Sequence, residues 1–399
     1  MAFLDSINVK CINELALREK RVFIRTDLNI PFDIEDGTLD MSRLEKVLPT
    51  IKHALEHNSR VIIASHLGLP ESEKAPALSL EQAAAALAEL LDRDIFFFED
   101  CAGMGAQQMV RDLKPGGILV LENLRFKEDE IKNSASFARE LAKMCDIYIN
   151  DAFAISHRTD TSINALPQIM DTKAMGLLMK KEIEEIAKVA DFKRGDGLCL
   201  ALGGAVTQEK LSFIRYMLEI ADKIIIGGSL SHLFLAAKGT TLGATKIEDD
   251  KVNTAKEIIK SAEIREIEIV LPVDHVAAES IDSTKTKIYS NENFPENLTA
   301  YDIGPATRSL FESEVQKGSH LFWNGPFGVC EEELFEKGSI EFAKAAVKLS
   351  GDTIAAGEET SKVIRKAGSS EEFKHASEGG ETALKLILTG KLPALDALK

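Results

Sequence analysis

Short, continuous apolar runs recur along the first half of the chain at 22–24, 61–64, 95–98, 118–121 and 147–149. They do not alternate with polar residues, which is the pattern of parallel strands buried on both faces. The segments between them, 42–57, 79–91 and 133–143, carry helix-favouring residues. The second half resumes the pattern with runs at 198–202, 224–226, 267–271, 321–323 and 353–356. Between the halves, 176–190 reads G-L-L-M-K-K-E-I-E-E-I-A-K-V-A, with Leu177, Ile183, Ile186 and Val189 apolar and charges elsewhere. This spacing predicts an amphipathic helix joining two lobes. The class is α/β with doubly wound parallel sheets, in which ligands bind beyond the carboxyl ends of the strands.

Polar residues collect at those ends in the first half. The first strand runs into R-T-D-L-N-I-P, and a period of two puts Arg25, Asp27 and Asn29 on one face. Arg43 opens the first helix, the second strand ends in Ser65-His66, the fourth in Glu122-Asn123-Leu124-Arg125, and the fifth in Asn150-Asp151 before His157-Arg158. Together they describe a pocket for a small, highly anionic ligand. The strand ends of the second half are backbone-rich: Gly203-Gly204, Gly227-Gly228, Pro272-Val273-Asp274, Asn324-Gly325-Pro326 and Gly357-Glu358-Glu359-Thr360. Such turns suit a nucleotide, whose phosphates take backbone N–H groups. At 198–214 an apolar strand meets Gly203-Gly204 and then a helix carrying Lys210, which is either an ordinary strand-to-helix turn or a phosphate site.

Composition narrows the choice. A chain of 399 residues, 45% hydrophobic, has the length of two domains. No run of 18 apolar residues exists, and the start M-A-F-L-D-S-I-N carries an acid where a secretory leader carries a basic region, so a cytoplasmic protein is expected. The five cysteines are scattered without a C-x-x-C pair and read as reduced thiols. A net charge of -16 argues against nucleic acid and anionic membranes as partners, so an Arg and His cluster runs against the background. There is no G-x-x-x-x-G-K-[ST] phosphate loop. His53 and His57 stand in H-x-x-E-H spacing and read as a solvated helix face; Gly103 and Gly105 form a lone G-x-G after 96–98, a weak hint of a dinucleotide loop because Gln108 stands where the third glycine would be.

With these residues in place, the chain resembles the phosphoglycerate kinase family over essentially its whole length. The resemblance rests on R-T-D-L-N-I-P at 25–31, S-H-L-G at 65–68, L-E-N-L-R-F at 121–126, N-D-A-F at 150–153 with His157-Arg158, L-G-G-A at 202–205, L-P-V-D at 271–274, I-G-P at 303–305, W-N-G-P-F-G-V at 323–329 and L-T-G-K-L-P at 388–393. It implies two Rossmann-like lobes: 1–172, completed by a returning segment 379–399, for 3-phosphoglycerate, and 193–378 for the nucleotide, joined by a helix over 173–192. It further implies reversible, Mg2+-dependent phosphoryl transfer between 1,3-bisphosphoglycerate and ADP in a monomer that closes about a hinge.

Carried over by motif, Arg25, Asp27, Asn29, Arg43, His66, Arg125, His157 and Arg158 would hold 3-phosphoglycerate. Gly203, Gly204, Ala205, Lys210, Gly227, Gly228, Asn324, Glu331, Glu359 and Thr360 would surround ATP or ADP, with Glu359 on the metal and Arg43, Lys210 and Gly357 at the chemistry. The chain departs from the family pattern at five places. Val206 replaces the lysine of G-G-A-K-V, Leu69 the arginine of S-H-L-G-R-P, and Asp160 the second histidine of H-R-A-H; Glu358 stands in the G-G-G-D-T loop and Glu381 in S-T-G-G-G. Four of these, Val206, Leu69, Glu358 and Glu381, remove a cation or add an acid near phosphates. They leave two readings open: a working kinase with a substitute cation, or a catalytically impaired relative that binds an acid phosphate as a sensor or interaction protein.

Overall fold

The computed structural model describes residues 7–30, 41–70 and 75–399; Pro31 of the first motif lies outside them. Six strands form the first sheet: β1 (Arg21–Arg25), β2 (Arg60–Ala64), β3 (Phe96–Phe98), β4 (Ile118–Leu121), β5 (Ile147–Asn150) and β6 (Lys173–Met175). Their order is β3-β4-β2-β1-β5-β6, with every pairing parallel. The second half contributes β7 (Leu198–Leu202), β8 (Lys223–Ile226) and β9 (Glu268–Val270), then β10 (Asp274–Ala278), β11 (Lys287–Ser290) and β12 (Thr299–Ile303), and finally β13 (His320–Asn324), β14 (Thr353–Ala356) and β15 (His375–Ser377). A second parallel sheet runs β15-β14-β13-β7-β8-β9, while β11-β10-β12 is a separate antiparallel sheet.

The central strands β4, β5, β7 and β14 are buried at every position, as continuous apolar runs between two helical layers require. Five strands exceed the sequence expectation, among them β10 and β12, whose apolar positions are interrupted by polar ones such as Asp274, His275 and Asp302. Strands β6 and β15 have three residues each, too few for a periodic signal, and β11 is largely exposed and so carries no apolar run.

The linking helix is Leu177–Asp191, and the boundary between two compact units falls within it: Glu185–Gly390 forms one, while the chain up to Glu184 and Lys391–Lys399 form the other. Helix Gly380–Thr389 packs on helix Gln208–Met217 and so belongs with the second sheet, whereas the sequence reading had 379–399 returning to the first. In the C-terminal unit, buried Trp323 on β13 packs edge-on against Phe342 at 5.1 Å, and its Nε1–H donates to the Gly325 carbonyl at 2.9 Å. That bond anchors the loop following β13 to the core, and the loop borders the candidate site.

Candidate active site

In the N-terminal unit the carboxyl ends of β1, β2 and β4 bring Arg25, His66 and Arg125 together. Arg25 is fully buried: Nε donates to Ser162 Oγ at 2.8 Å, Nη1 to the Thr26 carbonyl, and Nη2 faces His66 Nδ1 at 3.2 Å. A guanidinium only donates, so Nδ1 accepts and a neutral His66 carries its proton on Nε2. Burial, followed by the field of Arg25, Arg125, Arg43 and Arg158, holds the His66 pKa well below its ordinary value. Beneath Arg25, buried Glu130 accepts from the Ser162 amide and hydroxyl, and burial raises its pKa. Sequence reasoning missed Glu130 and Ser162. An acid within E-D-E-I looks like a solvated helix start, and nothing in its spacing points to Arg25.

Around this floor, Asp27 Oδ1 accepts the Asn29 amide at 3.0 Å and lies 3.8 Å from Arg43 Nη1. Asn29 Oδ1 accepts the Gly68 amide at 2.8 Å, and its carbonyl receives Arg43 Nη1 at 2.5 Å. Arg125 Nη1 donates to the Gly68 carbonyl at 2.7 Å, and burial lowers its pKa despite the nearby Asp160 carboxylate. The half-buried His157 and Arg158 complete the set. Six of the sequence-nominated residues, Asp27, Asn29, Arg43, His66, Arg125 and Arg158, thus form a cluster around Arg25, which acts from below through His66, and His157 adjoins Arg158 in the chain.

In the C-terminal unit a cavity of about 820 Å³ is lined by Thr207, Glu209, Lys210, Asn324, Gly325, Cys330, Glu331, Gly357, Glu358, Glu359, Thr360, Lys362, Val363, Lys366, Gly380, Glu381 and Leu384. The nominated Lys210, Asn324, Glu331, Gly357, Glu359 and Thr360 are therefore in it. Gly203, Gly204, Ala205, Gly227 and Gly228 are outside its lining. The amides of Gly203, Gly204 and Gly227 donate to the carbonyls of Asn324, Pro326 and Leu202 at 3.0, 2.7 and 2.8 Å. Their N–H groups stitch β7 to its neighbours and are not presented to a phosphate. The close approach explains the glycines: a Cβ on Gly203 would lie 2.1 Å from the Pro326 carbonyl oxygen.

What the turn does present is Lys210, whose Nζ donates to the carbonyls of Gly203 at 2.6 Å and Ala205 at 3.1 Å. Burial lowers its pKa to about 8, opposed by Glu359. Thr207 caps its helix, Oγ1 accepting the Lys210 amide at 3.2 Å. Removing that cap by Thr207→Ala is expected to cost about 1 kcal/mol, measured as a lower denaturation midpoint of the C-terminal unit; an unchanged midpoint would show the cap to be idle.

Across the cavity Gly357, at φ +115, opens helix Glu358–Lys366, where only glycine tolerates the backbone. Burial and then Glu331 raise the Glu359 pKa. Asn324 Nδ2 donates to the Ala356 carbonyl at 2.7 Å, leaving its buried Oδ1 without a partner among the described residues. Among the described residues, no group of three or more His, Cys, Asp and Glu is arranged to hold a metal, His53 and His57 included.

Known proteins match this chain over nearly its whole length. The family model described as phosphoglycerate kinase matches residues 12–391. The chain belongs to the phosphoglycerate kinase family. It is 37% identical to the phosphoglycerate kinase of Anaeromyxobacter dehalogenans, covering 98% of this chain and 99% of that one, and 38% identical to that of Koribacter versatilis, covering 97% and 98%. Among solved structures, phosphoglycerate kinase from Pyrococcus horikoshii superposes with a TM-score of 0.85 at 31% identity, covering 97% and 98%, and that from Coxiella burnetii with 0.80 at 29%, covering 98% of each.

The departures from the family's motifs take definite positions. Leu69 is 67% exposed at the rim of the N-terminal cluster, and Asp160 is buried within it. Val206 is half-buried in the turn before Thr207. Glu358 pairs with Lys362 at 2.8 Å, one turn along its own helix, so its carboxylate is held along the helix flank. Lys362 and Lys366, both on the lining, were missed in the sequence; their signal was basic residues at helical spacing after Glu358.

Proposed function

We propose that this chain is a cytoplasmic, monomeric phosphoglycerate kinase of glycolysis. It would transfer a phosphoryl group reversibly from 1,3-bisphosphoglycerate to ADP, giving 3-phosphoglycerate and ATP. The observation that carries this is the division of chemistry between its two units: a guanidinium cluster around a neutral histidine in one, and a cavity with the half-buried Lys210 ammonium and an open helix N-terminus in the other. In keeping with this, no helix among the described residues is long and apolar enough to cross a membrane.

In the direction of ATP use, a carboxylate oxygen of 3-phosphoglycerate attacks the γ-phosphorus of ATP, and the bond from that phosphorus to ADP breaks. Arg43, Arg125, Arg158 and His157 hold the acid and its phosphate, with Asp27 and Asn29 on the hydroxyl; Arg25 fixes His66 as an Nε2–H donor. The first-turn amides of helix Glu358–Lys366 point along the helix axis at its N-terminus, where Gly357 lets a phosphate approach. Lys210 supplies the positive charge that the equatorial oxygens need. Magnesium fits this site as a companion of the nucleotide: Glu359, crowded by Glu331, would hold it with phosphate oxygens, as this ion usually takes one or two carboxylates. When bound there, it would withdraw charge from the phosphates.

A dehydrogenase-coupled assay of 3-phosphoglycerate with Mg-ATP is expected to show turnover above that of Lys210→Ala; turnover equal to that variant's would overturn the kinase reading. One observation favours the impaired alternative: Glu331, Glu358, Glu359 and Glu381 all line the nucleotide cavity. Under it, calorimetry would detect 3-phosphoglycerate but not Mg-ATP.

A further inference from the structure

The N-terminal cluster contains its own anion. Asp160, 2% exposed, takes Arg158 Nε on both carboxylate oxygens, Oδ1 at 3.1 Å and Oδ2 at 3.0 Å, and Arg158 Nη2 on Oδ1 at 3.0 Å. Its Oδ2 also lies 3.5 Å from Arg125 Nη2. Among the described residues its carboxylate has no other hydrogen-bond or ion partner, and the nearby amides of Ile163 and Asn164 go to its main-chain carbonyl. The carboxylate therefore caps no helix and closes no loop; its partners are the two guanidiniums. Arg25 is committed to Ser162, Thr26 and His66, so the charge that meets an incoming ligand comes from the cluster's other guanidiniums, and Asp160 touches two of them. Arg125 also keeps a buried Nε with no partner among the described residues, a donor that awaits an acceptor.

We propose that Asp160 is a specificity-determining residue that competes with the ligand's phosphate for Arg158 and Arg125, damping the pocket's preference for the more highly charged anions. The assignment rests on the acid-phosphate reading of this cluster. A phosphate seated on both guanidiniums must share them with Asp160, so each added ligand charge gains less than it would in an unopposed arginine pair. A ligand that lacks the phosphate is nearly indifferent to the competitor.

Calorimetry at fixed ionic strength tests this with 3-phosphoglycerate, inorganic phosphate and glycerate. Asp160→Asn is expected to tighten the first two about tenfold and to leave glycerate within about twofold, since the removed repulsion scales with ligand charge. Asp160→Ser, which removes the same charge with a different shape, should agree and serves where the first variant misfolds. Phosphate binding that is unchanged or weaker in the folded variants, or glycerate tightening as much as 3-phosphoglycerate, would make Asp160 a scaffold for the arginines and overturn the proposal. If inorganic phosphate tightens but neither wild type nor variant binds 3-phosphoglycerate, the kinase reading falls and the role of Asp160 stands.

Discussion

Replacing Lys210 by alanine is expected to lower kcat by about 10³, the low end of what a cation on a transferring phosphoryl group contributes. The turn that presents it has no second ammonium, because position 206 is valine. Lys362 and Lys366 also line the cavity, but they are engaged, with Glu358 at 2.8 Å and Glu336 at 2.6 Å. Among the described residues Lys210 makes no such carboxylate bond; its Nζ rests on two carbonyl oxygens, which orient it without neutralising it.

The same environment predicts a pH dependence. With a pKa near 8 instead of 10.5, Lys210 is charged below that pH and neutral above it, so kcat/KM, which reports the free enzyme, should fall as pH rises through about 8. Bound polyphosphate favours the ammonium, so the corresponding limb in kcat should lie higher. The stability sign is opposite: between about 8 and 10.5 the unfolded chain binds the extra proton, and stability due to this group rises with pH. Lys210→Met should accordingly lose activity while gaining thermal stability at pH 7. A profile flat to pH 9.5, or a variant both inactive and destabilised, would show that Lys210 is a packing residue.

Much of the scaffold was legible because burial on both faces leaves a mark: β4, β5, β7 and β14 announce themselves as unbroken apolar runs. The exposed β11 and the three-residue β6 and β15 leave none. For the site, strand periodicity told which side chains reach the ligand edge but not what they meet there. Arg25 and Arg125 look equivalent at their strand ends, yet one is sealed beneath His66 and the other keeps an unpartnered Nε. Gly203 and Gly204 read as phosphate-binding amides, yet those amides pair with Asn324 at the end of β13 and with Pro326 just beyond it. Glu358 reads as repulsion at a phosphate site until Lys362, four residues on, draws it aside. In each case the deciding partner is a nonlocal contact or a rotamer, which local pattern does not encode.

Val206→Lys is expected to raise kcat by about 10² and to lower the KM for Mg-ATP, since it returns a positive charge to a loop beside transferring phosphoryl oxygens. The gain should fall short of the full worth of such a cation because Lys210 already stands at the turn. Two ammoniums there repel, and each unit charge at about 4 Å costs about 4 kcal/mol at an effective dielectric of 20. Three features offset that repulsion. Val206 is half-buried, so a longer side chain has an exit toward solvent. Glu359, whose pKa is raised by burial and by Glu331, gains a counter-ion. Glu209 and Glu381 on the same lining keep the cavity acidic overall. The pH limb near 8 should move lower in this variant, because a neighbouring ammonium disfavours the charged form of Lys210. The informative comparison is with Val206→Lys/Lys210→Ala: if the introduced lysine restores turnover to the double variant, position 206 reaches the same phosphoryl oxygens as Lys210. If the single variant gains nothing and the double variant stays inactive, charge at position 206 is too far from the chemistry to matter, and the valine marks a rewired turn.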